Sequence, residues 1–204
     1  MSKRLYDVIF AVLGLLLGLP LLILIGAAIK LLDRGPVFFR QSRVGFQGRP
    51  FMILKFRTMI PNSEKLGASV TAAKDPRVTG IGRFLRKTKL DELPQLWNVL
   101  TGDMSFVGPR PEVPCYVARY NPEQRRVLGL KPGITDLATL LYRNEEQILG
   151  GTSDIELFYL EQIMPRKIDL NLEYARQASL WEDTKIILRT LIPGVPLRTH
   201  PEKR

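Results

Sequence analysis

The chain has 204 residues and a formal net charge of +10, from 30 Lys+Arg against 20 Asp+Glu. That length fits one domain, or one domain with a small appendage, and a hydrophobic content of 45% is enough for a packed core. A single cysteine, Cys115, excludes an internal disulfide and Cys-rich zinc sites, and a single histidine, His200, leaves no material for Ser-His-Asp, Cys-His or multi-His metal chemistry. Any catalysis here must use carboxylates, cations, hydroxyls or a carboxylate-bound metal.

From Val8 to Ile29 there are 22 consecutive residues without a charge, long enough for a membrane helix. Three readings compete. A cleaved signal peptide has Lys3 and Arg4 in its favour, but its apolar region is too long. A simple spanning helix would place one basic flank outside, because Lys3 and Arg4 precede the run and Lys30, Arg34, Arg40, Arg43 and Arg49 follow it. A re-entrant hairpin leaves both basic flanks on one face. Pro20, near the middle, removes a backbone donor and clashes with the preceding turn. The kink and the two basic flanks together favour the hairpin.

Beyond Leu31–Pro36, Val37–Phe39 and Phe51–Phe56 read as short strands joined by a turn at Gly45 and Gly48. Residues 60–76 are polar and rich in Pro, Gly and Ala, and read as a loop. A helix is expected from Asp91, with Pro94 in its first turn, Leu93, Leu96, Trp97 and Leu100 on its buried face, and Gly102 closing it. Asn121-Pro122-Glu123 starts another short helix. Ser153 with Glu156, and Ser179 with Glu182, read as capping boxes for two more. The last helix, Leu180–Ile192, brings Trp181, Lys185, Leu188 and Ile192 to one broad face, and Pro193 stops it. The expected fold is α+β and mainly helical. A re-entrant membrane anchor, residues 1–34, would precede a small membrane-associated catalytic domain, residues 35–204.

Four constellations can carry chemistry. Asp91-Glu92 alone reads as a helix cap, but Arg83, Arg86, Lys87 and Lys89 precede it, and Asp103 and Arg110 follow. Acids in such a basic field are expected to stay ionised, fit to act as a nucleophile or to hold Mg²⁺. Gly108-Pro109-Arg110-Pro111 stiffens an arginine suited to gripping phosphate, or is simply a rigid turn. The basic stretches 37–60 and 77–89 suit a solvated surface, anionic lipid or nucleic acid, although no nucleic-acid-binding motif accompanies them. Pro132-Gly133 with Tyr142-Arg143-Asn144 is a weaker signal. Cys115 is expected as a small buried hydrophobe, His200 in a solvated tail, and Glu145-Glu146 on a solvated face.

The stretch Leu90-Asp91-Glu92-Leu93-Pro94-Gln95-Leu96-Trp97-Asn98-Val99-Leu100, then Gly102-Asp103-Met104-Ser105-Phe106-Val107-Gly108-Pro109-Arg110-Pro111, resembles the bacterial sugar transferase family, the monotopic phosphoglycosyl transferases, in its small form. Gln41–Gly45, Lys55–Met59, Asp75–Thr79 and Pro132–Thr135 support it, and it runs from about residue 3 to residue 192. The resemblance implies transfer of a sugar 1-phosphate from a UDP-sugar to undecaprenyl phosphate with release of UMP, at the cytosolic face of the bacterial inner membrane. By resemblance, Asp91 is the nucleophile and Glu92 its partner, with Mg²⁺ at the pair. Arg86 and Arg110 would contact phosphate, and Lys55, Arg57 and Arg143 are further candidates for the diphosphate or uridine. The bilayer would be a partner and nucleic acid would not.

Four positions depart from the family pattern. Leu19-Pro20 replaces the usual Ser-Pro, which loosens the expectation of a hairpin. Asp136 and Thr139 replace Gly and Gln in Gly-Ile-Thr-Gly-Leu-Ala-Gln, and Tyr142 stands where glycine commonly precedes Arg-Asn. These point to an altered donor pocket. The competing readings are an inactive membrane-surface scaffold, a nucleic-acid binder, and a glycosyltransferase that releases UDP.

Overall fold

A computed structural model describes residues 2–63, 66, 70, 71, 75–152 and 154–192. Helical residues make up 60% of the chain and the strands are short, as the α+β expectation requires. Helix α1 spans Lys3–Asp33 as one element with Pro20 inside it, capped by the Ser2 hydroxyl, which accepts from the Leu5 N–H. At about 1.5 Å per residue this is roughly 47 Å of helix.

Among the less exposed positions of α1, Lys3, Asp7, Ala11, Gly14, Gly18, Leu22, Ile25, Ile29 and Asp33 form a stripe, with Tyr6, Val8, Leu15, Gly26 and Ala28 beside it. The stripe's spacing of three and four residues marks one helical face. Small residues in it let the body approach closely, and a Cβ added at Gly14 would lie 3.0 Å from Leu96. The rest of the helix is apolar and uncovered. Leu16, Leu17, Ile23 and Leu24 are 64%, 81%, 64% and 66% exposed. The helix is long and apolar enough to cross a membrane, and little of its apolar surface is covered, unlike a core helix in water.

Both ends of α1 are tied to the body. At the start, Lys3 Nζ donates to the Val107 carbonyl at 2.9 Å and pairs with Asp183 at 2.5 Å. Arg4 donates to the Val99 and Leu100 carbonyls, and Asp7, buried, accepts from the Ser105 hydroxyl and the Phe106 N–H. At the far end Ile25 and Ile29 pack with Phe56 and Leu85, and the Asp33 carbonyl accepts from Arg57 at 3.4 Å.

A hairpin follows. Strands β1 (Phe38–Val44) and β2 (Pro50–Phe56) are antiparallel, Phe38 opposite Phe56 and Val44 opposite Pro50. β1 extends past the expected Phe39 because its outer face is charged: Arg40 and Ser42 are exposed, and the polar run hides the alternation. Helix α2 (Gly80–Thr88) is capped by Thr79 and packs its Gly82 onto the Thr58 backbone, where a Cβ would meet the carbonyl oxygen at 2.0 Å. A tight 3-10 turn, Leu90–Glu92, leads into α3 (Gln95–Thr101), which Gly102 closes at φ +96°.

The buried face of α3 differs from the expectation. Trp97 is 54% exposed, whereas Gln95, Leu96, Asn98 and Val99 are buried. The helix is short and wedged between α1 and β2, so its orientation is set by Asn98, whose amide donates to Met52 O and accepts from Leu54 N. That side chain completes the open edge of β2.

Strands β3 (Ser105–Val107) and β4 (Gly133–Thr135) run parallel. At the end of β3 the two backbones nearly touch: a Cβ on Gly108 would sit 2.1 Å from the Lys131 oxygen. Only glycine fits there. The largest core cluster joins α4 (Pro114–Val117), the 3-10 turn Gln124–Gly129 and the long helix that starts as α7 (Ile155–Phe158). That helix widens to a π turn at Tyr159–Ile163 and continues as α8 (Met164–Gln177). Between them lie α5 (Leu137–Leu141) and α6 (Glu145–Leu149). Helix α9 (Leu180–Leu191) closes the fold, with Ser179 accepting from Glu182 N as expected.

Several expectations are corrected here. Cys115 is exposed, because Tyr116 and Val117 are the α4 residues that face the core. Asp154 caps α7 through Leu157 N; Ser153, Pro193 and His200 lie outside the described residues. The broad α9 face with Trp181, Leu188 and Ile192, on whose burial the sequence is silent, is exposed, and Asp183 and Ile186 are buried.

Candidate active site

Strand β2 carries Lys55 inward, and α2 ends at Lys89, a left-handed residue at φ +59°. That reversal drops the next turn beneath β2, so Asp91 and Glu92 meet Lys55. From the opposite side comes the rigid turn after β3, carrying Arg110. Elements distant in sequence thus converge on one carboxylate. Glu92 accepts from Lys55 Nζ at 2.9 Å and from both Arg110 terminal nitrogens, at 2.5 and 3.3 Å. This is a two-pronged guanidinium–carboxylate pair with an ammonium added.

The two carboxylates of the pair differ sharply. Burial pushes Glu92 up, but Arg110 and Lys55 outweigh it and hold the group well below the usual carboxylate range. Asp91 goes the other way. Burial raises its pKa, and Lys55, Arg86 and Lys89 reverse this only in part while Glu92 adds to it. The expectation that the basic field keeps Asp91 low is therefore corrected: desolvation outweighs the nearby cations, of which Lys55 is also bonded to Glu92. Asp91 is buried, and its Oδ1 has no hydrogen-bond partner. Lys55 is pulled down to about 8 by burial, with Glu92 opposing. Arg110 is raised, chiefly by Glu92.

The other candidates separate. Arg86 stands near the pair: its Nε donates to the Thr58 hydroxyl at 3.0 Å, and its Nη1 lies 3.5 Å from Glu146. Arg57 is a strut, buried against Gly35 and donating to the Asp33 carbonyl. Arg143 donates to the Arg189 and Thr190 carbonyls at the end of α9. Glu145 is not on a solvated face; it pairs with the buried Lys167 at 2.6 Å. Sequence reading misses Thr58, Asn98, Glu112, Lys167 and Asn171. Glu112 accepts from the Tyr159 hydroxyl, which the π turn aims at it. No local pattern marks such pairs, because their partners lie tens of residues away.

A divalent cation fits Asp91, whose buried oxygen lacks a partner, better than Glu92, whose oxygens are both engaged. Among the described residues there is no cluster of three or more His, Cys, Asp or Glu able to hold a metal. One carboxylate with ligand phosphates making up the remaining positions is the arrangement magnesium commonly accepts.

Comparison with known proteins gives a consistent answer. Residues 1–195 match the family model for bacterial sugar transferases. A UDP-glucose:undecaprenyl-phosphate glucose-1-phosphate transferase of Caulobacter vibrioides is 42% identical over 194 residues, covering 94% of this chain and 68% of that protein. The Escherichia coli protein of the same description is 42% identical over 200 residues, 94% of this chain and 40% of its own length. A UDP-N-acetylgalactosamine-undecaprenyl-phosphate N-acetylgalactosaminephosphotransferase of Aeromonas hydrophila is 38% identical over 194 residues, 93% and 42%. The chain thus spans about two fifths of the length of the last two.

The contrast within the pair predicts opposite effects on stability. Glu92→Gln leaves Lys55 and Arg110 without their counter-charge and should cost about 3 kcal/mol. Asp91→Asn removes a buried, unpartnered acid and should leave stability unchanged or higher. Chemical denaturation of both variants measures this; equal losses would contradict the assignment.

Proposed function

This chain belongs to the bacterial sugar transferase family, and on that premise we propose that it transfers a sugar 1-phosphate from a UDP-sugar to undecaprenyl phosphate and releases UMP. The observation that carries the reading is the division of labour between Asp91 and Glu92. Glu92 is locked to Arg110 and Lys55, and Asp91 keeps a free, buried oxygen beside that cationic cluster. Phosphoryl transfer depends mainly on positioning and charge neutralisation, and needs no histidine or cysteine.

Asp91 Oδ1 attacks the phosphorus that bears the sugar. The bond between that phosphorus and the bridging oxygen breaks, and UMP leaves with the bond's electron pair. An oxygen of undecaprenyl phosphate then attacks the same phosphorus and returns Asp91 as a carboxylate. Arg110 and Lys55, held in place by Glu92, sit where the diphosphate charge must be met, and Arg86 is the third cation of the cluster. Mg²⁺, when bound, would rest on Asp91 and supply positive charge to the phosphoryl oxygens. Arg57 and Arg143 serve structure in this account, bracing β2 and α9. The relatives named for glucose and for N-acetylgalactosamine transfer leave the sugar to be found by experiment.

The membrane reading goes with the reaction. We place α1 as a re-entrant anchor, kinked at Pro20, with the body on the cytosolic face of the inner membrane. What supports it is that both ends of α1 bind the same body. A helix crossing the bilayer would carry one end away by about 30 Å. A lipid phosphate at the membrane surface is then within reach of the site.

The reaction is tested by nucleotide release. Protein in nanodiscs with Mg²⁺, undecaprenyl phosphate and a panel of UDP-sugars should release UMP with at least one donor, and Asp91→Asn or chelation should abolish it. UDP as the product, or full turnover by Asp91→Asn, would contradict the reading. The anchor is tested by single cysteines at Ser2 and Arg34 with the exposed Cys115 removed. Both should be shielded from an impermeant reagent outside intact cells, and labelling of either would favour a spanning helix.

A further inference from the structure

The turn that carries Arg110 is pinned at each of five successive residues. Gly108 N donates to Thr135 O, and Pro109 O accepts from Gly133 N. Pro111 O accepts from Arg43 Nη1, and Glu112 O accepts from Val44 N. Arg110 N alone among these finds a carboxylate, Asp136 Oδ2, at 3.1 Å. Asp136 is one of the positions at which the chain departs from the family pattern, where glycine is usual and no side chain would be present.

Asp136 is fully buried, at 0% exposure, and each of its oxygens has a task. Oδ1 accepts from Thr139 N at 2.5 Å and caps α5. Oδ2 also accepts from Asn171 Nδ2 at 2.9 Å, and that amide donates again to the Lys167 carbonyl. The Arg110 backbone is thereby tied to both α5 and α8. A small cavity lined by Arg110, Glu112, Asp136, Lys167 and Asn171, among others, adjoins this contact. Without Asp136, the Arg110 N–H would lose the carboxylate acceptor that holds it here.

We propose that Asp136 is a positioning residue of the transfer reaction, fixing the Arg110 peptide so that its guanidinium stays locked on Glu92 and aligned toward the phosphates. It acts through Arg110 and does not touch substrate. The idea rests on the transfer reaction proposed above. It differs from a role in folding alone, because helix capping and the Arg110 contact use different oxygens of the same carboxylate.

The two oxygens allow a test in the full-length protein. Asp136→Ser keeps a hydroxyl able to cap α5 but is too short to reach Arg110. Displacement of a charged group by a fraction of an ångström predicts a loss in kcat for UMP release of about tenfold or more, with donor KM less affected. In an Arg110→Ala background the same substitution should change kcat less than about twofold, because the route through Arg110 is already gone. Equal losses in both backgrounds, or an unchanged kcat in the single variant, would overturn the proposal. If the serine variant fails to fold, the nearly isosteric Asp136→Asn carries the same cycle, since one amide oxygen cannot serve both donors.

A second readout is independent of the chemistry. Hydrogen exchange at the Arg110 amide should accelerate about tenfold or more in Asp136→Ser while the Gly108 amide is unchanged. Unaltered exchange at Arg110 overturns the positioning role. Failure of the wild-type protein to release UMP would instead contradict the reaction, and the exchange rates would still decide whether Asp136 holds Arg110.

Discussion

The structure turns on a single buried carboxylate that satisfies two cations. Glu92 accepts from Lys55 on β2 and from Arg110 on the turn after β3, while its own backbone belongs to the turn between α2 and α3. Any one of these elements, released, would leave a buried charge without a partner. A buried pair of this kind gives little net stability over an apolar replacement, but losing one member is expensive. Its main consequence is geometric. With Glu92 saturated, the neighbouring Asp91 is left with an oxygen that no protein group claims.

The same logic reaches α1. Apolar packing at Ala11, Ile25 and Ile29 seats this helix on the body, and polar contacts at its ends fix its place. Lys3, Arg4 and Asp7 bind the α3 carbonyls, β3 and α9 at one end, and Asp33 meets Arg57 at the other. Residues 105 and 106, which Asp7 holds, lead directly into Gly108–Arg110. Helix α1 and the arginine turn are therefore linked through β3.

Much of this was legible in the sequence. The uncharged run from Val8 to Ile29, the pairing of β1 with β2, the Gly102 stop and the Ser179 cap all follow local rules, and the motif around Asp91 carries the family. What local rules could not supply is long-range pairing. Trp97 and Leu100 fit a helical face as well as Asn98 and Val99, and the choice was made by β2, whose open edge only an amide could complete. Cys115 and Glu145 were misplaced for the same reason: their neighbours decide their environment. Asp91 itself was expected to ionise easily among arginines. Burial outweighs the nearby cations, so the direction reverses. Arg57 and Arg143 match the expected chemistry by type, and their contacts to the Asp33, Arg189 and Thr190 carbonyls are long-range too.

The most direct measurement is trapping of the intermediate. Protein given a UDP-sugar labelled at the sugar-bearing phosphate, with Mg²⁺ and no lipid acceptor, would be digested and its labelled peptide sequenced by mass spectrometry. The account predicts one label, on Asp91, as an acyl phosphate cleaved by hydroxylamine and discharged by undecaprenyl phosphate. Label on Glu92, or UMP release in the presence of lipid acceptor with no labelled protein at any time, would contradict it.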